Sequence, residues 1–197
     1  MPATEKKLYL TFDDGPVPGP TDFVLATLAK YSIKAAFFCI GDNVRKHPEI
    51  FKRILDQGHA VGNHTFNHLK GWNTPLEKYV ENVEECEDVI NKSLDNSLQL
   101  PVTGDRQPAT GHQKLFRPPY GRITRAQIKA LTNYKIVMWD VLTNDYRVSK
   151  SPQAVLKNSI RATRPGSVVV FHDSVKAERN MNYALPRYID HFISQGY

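Results

Sequence analysis

At 197 residues and 41% hydrophobic content, the chain is sized for one domain, residues 1–197, with a core of its own. Its 26 basic residues against 20 acidic ones leave a net charge of +6, but no five stand together, so the excess reads first as a solvated face and gives only weak support to attraction for anionic polymers such as cell walls or nucleic acid. No segment approaches the roughly 18 consecutive apolar residues of a membrane span, and the two cysteines, Cys39 and Cys86, read as buried thiols rather than a disulfide framework.

The opening Met1-Pro2-Ala3-Thr4-Glu5-Lys6-Lys7 lacks the apolar core of a signal peptide, which implies a cytoplasmic protein or an exported one whose leader is removed. Leu8 to Phe12 then alternates as a strand and runs into Asp13-Asp14-Gly15-Pro16. Thr21 to Tyr31 has helical spacing in Phe23, Leu25, Leu28 and Ala29. Ala35 to Ile40 is a continuous apolar run, as in a strand covered on both faces. A helix over Pro48 to Gln57 stops at Gly58, and a short strand, His59 to Asn63, delivers His64. Pro75 to Leu94 is the longest helical pattern, and residues 95–114 follow as a long aperiodic loop. Strands are expected at Lys114 to Arg117, Lys135 to Val141 and Ser167 to Phe171. Helices are expected at Thr124 to Thr132, at Ser151 to Ala162 with Ser151 as cap and Pro152 in its first turn, and at Tyr183 to Ser194.

This alternation of strand and helix implies a parallel sheet or barrel. Chemistry-bearing residues cluster just after the strands: Asp13 and Asp14, His64, Arg117, Asp140, His172 and Asp173. In (β/α) barrels the C-terminal strand ends carry the site, so distant stretches converge on one face.

Asp13 and Asp14 are neighbours on extended chain, so their side chains diverge; one can bind a metal while the other faces a substrate. Taken alone the pair also fits an ordinary Asp-Gly turn. His64 and His68 lie at i and i+4, on one helical face or flanking a tight turn. One carboxylate with two imidazoles is a ligand set for a catalytic divalent ion, Zn²⁺ foremost, with Co²⁺, Ni²⁺, Mn²⁺ or Fe²⁺ also compatible. The second carboxylate is then free to serve as a general base. Arg117-Pro118-Pro119-Tyr120-Gly121 is a stiff segment able to aim a backbone N–H at a developing oxyanion, and Arg117 can hold a carboxylate. Val168 to Phe171 is a buried strand ending in His172, a general-acid candidate.

Together these patches resemble the polysaccharide deacetylases of carbohydrate esterase family 4, the NodB-homology domain. The family's Thr-Phe-Asp-Asp-Gly corresponds to Thr11 to Gly15, its His-[Ser/Thr]-x-x-His to His64 to His68, its Arg-x-Pro-Tyr to the Arg117 segment, and its Leu-x-His to Val170 to His172, with Val for Leu. The resemblance implies a distorted (β/α) barrel of about seven parallel strands and the removal of acetyl groups from N-acetylated, or O-acetylated, glycans. By position it makes Asp13 the base, Asp14, His64 and His68 the ligands of one divalent ion, Tyr120 the oxyanion donor through its N–H, His172 the acid and Arg117 the partner of Asp13. Pro119, Trp139 and Val170 are expected to line the substrate pocket, and the chain is expected to act as a monomer.

The pattern departs at the family's Asp-x-x-Asp-Trp. Here Leu142 stands at the first Asp, taken as the residue that orients the acid histidine, while Asp145 is kept and Tyr146 replaces the Trp. Asp140, two residues earlier on the expected strand, is the expected substitute partner of His172. An amide hydrolase of a small non-sugar molecule and a carbohydrate-binding pseudoenzyme are the competing readings. The intact Asp13, Asp14, His64, His68 and His172 favour the deacetylase.

Overall fold

The structure, a computed structural model, describes residues 5–98 and 114–197. Seven parallel strands form one curled sheet in the order β5-β4-β3-β2-β1-β7-β6. They are β1 (Tyr9–Asp13), β2 (Ala36–Cys39), β3 (Ala60–Asn63), β4 (Lys114–Phe116), β5 (Tyr134–Ile136), β6 (Val141–Leu142) and β7 (Val168–His172). Helices α1 (Pro20–Lys30), α2 (Gly41–Lys46), α3 (Pro48–Asp56), α4 (Leu76–Leu98), α5 (Arg125–Ala130) and α6 (Pro152–Ala162) occupy connections between strands, and α7 (Glu178–Ser194) follows β7. This is the distorted (β/α) barrel expected, left open between β5 and β6.

Strand alternation divides the side chains. Leu10, Phe12, Phe37, Val169 and Phe171 join the main core with Val24, Leu25 and Leu28 of α1 and Leu185 and Tyr188 of α7. Thr11, Asp13, Val170 and His172 occupy the alternate positions and point to the interior of the curl. A smaller core of Tyr79, Val83, Phe116 and Leu131 fastens α4 to β4 and α5. No helix among the described residues is long and apolar enough to cross a membrane.

Side-chain caps fix two of the helix starts. The Ser151 hydroxyl accepts from Ala154 N at 3.2 Å, with Pro152 opening α6. Thr124 and Gln127 form a reciprocal capping box on α5.

Several boundaries differ from the sequence expectation. α2 is a helix of six residues, too short to show a periodicity. The aromatic and apolar run after Lys135 is not one strand: residues 137–140 leave β5, and the chain resumes as β6 on the opposite edge of the sheet. Of the loop expected at 95–114, α4 takes the first residues through Leu98 and β4 begins at Lys114, while 99–113 lie outside the described residues. The last helix begins five residues early, at Glu178 rather than Tyr183.

Candidate active site

The C-terminal strand ends bring the predicted residues to one place. Asp13 ends β1 and pairs in register with His172, the end of β7. His64 follows β3 directly, its N–H donating to Cys39 O of β2 at 2.9 Å. Arg117 follows β4, its N–H donating to Asn63 O at 3.0 Å.

Asp14, His64 and His68 each offer a ligand atom within 4.8 Å of the others. Asp14 Oδ1 lies 3.8 Å from His64 Nε2 and 3.3 Å from His68 Nε2. His64 Nδ1 donates to Arg117 O at 2.7 Å, which fixes the tautomer and leaves Nε2 as a bare lone pair toward the carboxylate. Burial pulls the His64 pKa down to about 3, and lowers that of His68 against the pull of Asp14, so both rings are neutral donors at ordinary pH. Asp14 Oδ1 is buried yet has no hydrogen-bond partner. An unpaired buried carboxylate oxygen facing two neutral imidazoles is costly unless a cation joins them, so the donor set fits a divalent ion.

The loop carrying this set is heavily braced. Asp14, Thr65 and His68 all have positive φ, at 86°, 62° and 57°. Asn43 Nδ2 of α2 donates to Asp14 O at 2.7 Å. Asn63 Oδ1 accepts from Thr65 N at 2.9 Å, and Asn82 Oδ1 of α4 accepts from Phe66 N at 3.0 Å and Asn67 N at 3.1 Å. Gly15 N donates to Asp173 Oδ1 at 3.0 Å, and Thr21 Oγ1 donates to Asp173 Oδ2 at 2.7 Å. Sequence reasoning missed these brackets because single asparagines at strand ends and on helices carry no spacing signature.

Asp13 is 3% exposed and accepts from Arg117 Nη1 at 2.7 Å. Burial raises its carboxyl above the ordinary range, with the charges of Arg117 and His172 holding it partly back. Arg117 is itself fully buried and spans the open seam: Nη1 also donates to Thr11 Oγ1 at 2.7 Å, Nε to Val137 O at 3.0 Å and Nη2 to Met138 O at 3.3 Å, with Phe38 beneath the guanidinium. It therefore holds Asp13 and the segment between β5 and β6 at once.

His172 is the one residue whose expected partner must be corrected. Its Nδ1 donates to Asp145 Oδ1 at 2.7 Å, and its backbone N–H to Asp145 Oδ2 at 2.8 Å. Asp145 is fully buried, and Asn180 Nδ2 of α7 donates to its carbonyl at 2.8 Å. Asp140 instead accepts from Val168 N at 2.9 Å, at the start of β7. That is four residues, or about 13 Å of strand, from His172. Burial lowers the His172 pKa, but the charge and hydrogen bond of Asp145 outweigh it and carry it up to about 9. Tyr146 stands edge-on to the ring, 4.8 Å between centroids.

Tyr120 adopts φ 59° in the turn Pro119–Gly121, closed by Gly121 N to Pro118 O and Arg122 N to Pro119 O, both at 3.0 Å, and its ring lies 4.6 Å from that of His68. Of the expected pocket residues, only Trp139 is partly exposed. Pro119 is buried in its turn, and Val170, wholly buried one alternation below His172, offers a ligand no surface.

A parallel curled barrel with an Asp-His-His set, a buried carboxylate and a carboxylate-backed histidine at its strand ends defines a hydrolase-type site. The family model described as Polysaccharide deacetylase matches residues 1–139, and the chain belongs to that family. A Peptidoglycan-N-acetylglucosamine deacetylase of Bacillus cereus is 33% identical over 175 residues, covering 88% of this chain and 58% of the relative. A second from the same organism is 31% identical over 201 residues, covering 100% of this chain and 86% of the relative. The crystal structure of the Bc1960 peptidoglycan N-acetylglucosamine deacetylase, in complex with a hydroxamate-type benzamide, superposes with a TM-score of 0.85 at 31% identity, covering 99% of this chain and 85% of that one.

Proposed function

We propose that this chain hydrolyses the N-acetyl groups of N-acetylglucosamine-containing glycans, peptidoglycan strands first among them, with one divalent ion, zinc foremost, held by Asp14, His64 and His68. The substrate class is supported by the names its relatives carry. The observation that carries the chemistry is the partnerless Asp14 Oδ1 facing two neutral imidazoles, beside a second, buried carboxylate. A bound ion supplies Lewis-acid polarisation of the acetyl carbonyl and of the attacking water.

The chain's own residues do the rest. Asp13, raised by burial and held by Arg117, takes the proton of the attacking water; a raised carboxyl is the stronger base. The Tyr120 N–H, set in its tight turn, donates to the developing oxyanion. His172, protonated by virtue of Asp145, gives its Nε2 proton to the leaving amine.

The test is acetate release from peptidoglycan, chitin oligomers and xylan after chelation and after addition of Zn²⁺, Co²⁺ or Mn²⁺. Chelation should abolish release and zinc restore it. Asp13→Asn should keep the ion and lose about 10²–10⁴-fold in turnover, whereas Asp14→Asn should lose the ion. Undiminished release from verified metal-free protein would overturn the reading.

A further inference from the structure

The site is flanked on one side by apolar and aromatic surface left in water. Trp72, Tyr120 and Met138 remain 56%, 60% and 43% exposed. Trp72 lies in the short turn Gly71–Asn73, four residues beyond His68, hence within about 14 Å of it along the chain. Its indole Nε1–H donates to Ile123 O at 3.2 Å, and the Arg122 guanidinium covers one ring face at 4.0 Å from the centroid.

This unit is fixed rather than frayed. Gly71 N donates to Arg122 O at 3.0 Å, and the buried Gln127 donates through Nε2 to Gly71 O at 2.9 Å and Thr74 O at 3.1 Å. A Cβ at Gly71 would lie 2.4 Å from Arg122 O, so only glycine lets the two segments close. One arm thus continues the His64–His68 loop, and the other continues the Arg117–Gly121 segment. Both arms grow out of the site itself.

A lone exposed apolar side chain is ordinary. Trp72 is not of that kind: its polar edge is satisfied, one face is packed by a cation and its turn is stapled, yet more than half its surface stays open. A ring held this way loses little freedom on binding. The apolar C–H face of a pyranose complements an aromatic ring, and its hydroxyl rim complements a guanidinium.

We propose that Trp72 and Arg122 form a glycan subsite that holds a sugar unit next to the one being deacetylated; the proposal rests on the glycan reading of the centre. Trp72 and Trp139 are the two tryptophans, so their indole N–H signals can be followed separately by NMR. Metal-free protein is titrated with chitotetraose and with N-acetylglucosamine, and acetate release is measured on the zinc-loaded protein. The tetramer should shift the Trp72 signal saturably while the monomer leaves it in place. Trp72→Ala should raise the KM for chitotetraose about tenfold and move kcat far less, with Trp72→Phe recovering most of the loss. An intact Trp139 signal in Trp72→Ala certifies the fold. A motionless Trp72 signal with an unchanged KM overturns the subsite, and wild-type acetate release then leaves the deacetylase reading standing. No release from any glycan, with a saturable Trp72 shift, overturns that reading and keeps the sugar site; no release and no shift overturns both.

Discussion

At the scale of residues, His172 illustrates how a titration is built. An acid must carry its proton, so activity should persist below the His172 pKa and fall as pH rises through about 9. Asp145 supplies the two largest contributions that hold that value up, its charge and its hydrogen bond, with smaller ones from the charges of Asp14 and Asp13. Asp145→Asn should therefore move the alkaline limb of the kcat/KM profile to lower pH without altering metal content, while Asp140→Asn should leave the limb in place. A limb that moved with Asp140 instead would return that residue to the site. The Asp-Asp pair, His64, Arg117 and His172 were legible because each lies at or directly after a strand end and carries its own chemistry, and His68 because it stands four residues from His64. The identity of the histidine's partner was not. Spacing by two along a strand argues for a shared face, but it says nothing of which end of the neighbouring strand each residue meets.

At the scale of elements, the turn after β1 has no spare room. A Cβ on Gly15 would stand 2.0 Å from Oδ2 of Asp173, whose other carboxyl oxygen, Oδ1, accepts the Gly15 N–H. Gly15→Ala should cost about 1–3 kcal/mol through overpacking, visible as a lower thermal midpoint. It should also weaken metal affinity, because Asp14 is the next residue; unchanged affinity at a lowered midpoint would show that the ligand is braced by Asn43 alone. Most strands and helices were readable from periodicity, including the Ser151 cap. Period cannot reveal a strand that stops and resumes across the sheet, since residues 135–141 look locally continuous. The interruption is a tertiary fact, enforced by Arg117 taking the Val137 and Met138 carbonyls.

At the scale of the whole molecule, Asp173 ties stability to pH. Burial first, then the charge of Asp14, raises its carboxyl to about 8 against the hydrogen bonds from Thr21 and Gly15. A group that holds its proton more tightly when folded stabilises the fold fully below its unfolded value near 3.8 and loses that contribution as pH rises toward about 8. Asp173→Asn keeps the shape and removes the ionisation. Its thermal midpoint relative to wild type should climb steadily between these limits, and a constant difference would assign the shift elsewhere.

The place of β7 in the sheet also governs how the molecule assembles. β1 lies between β2 and β7, and its Thr11 Oγ1 donates to Val169 O across a separation of 158 residues. Such contact order slows folding. During synthesis β1 is an exposed edge, with Leu10 and Phe12 alongside, until the seventh strand emerges, and an unpaired edge is a template for the wrong chain. Asp13 and His172 meet only when that gap closes, so no shortened nascent chain has the complete pair.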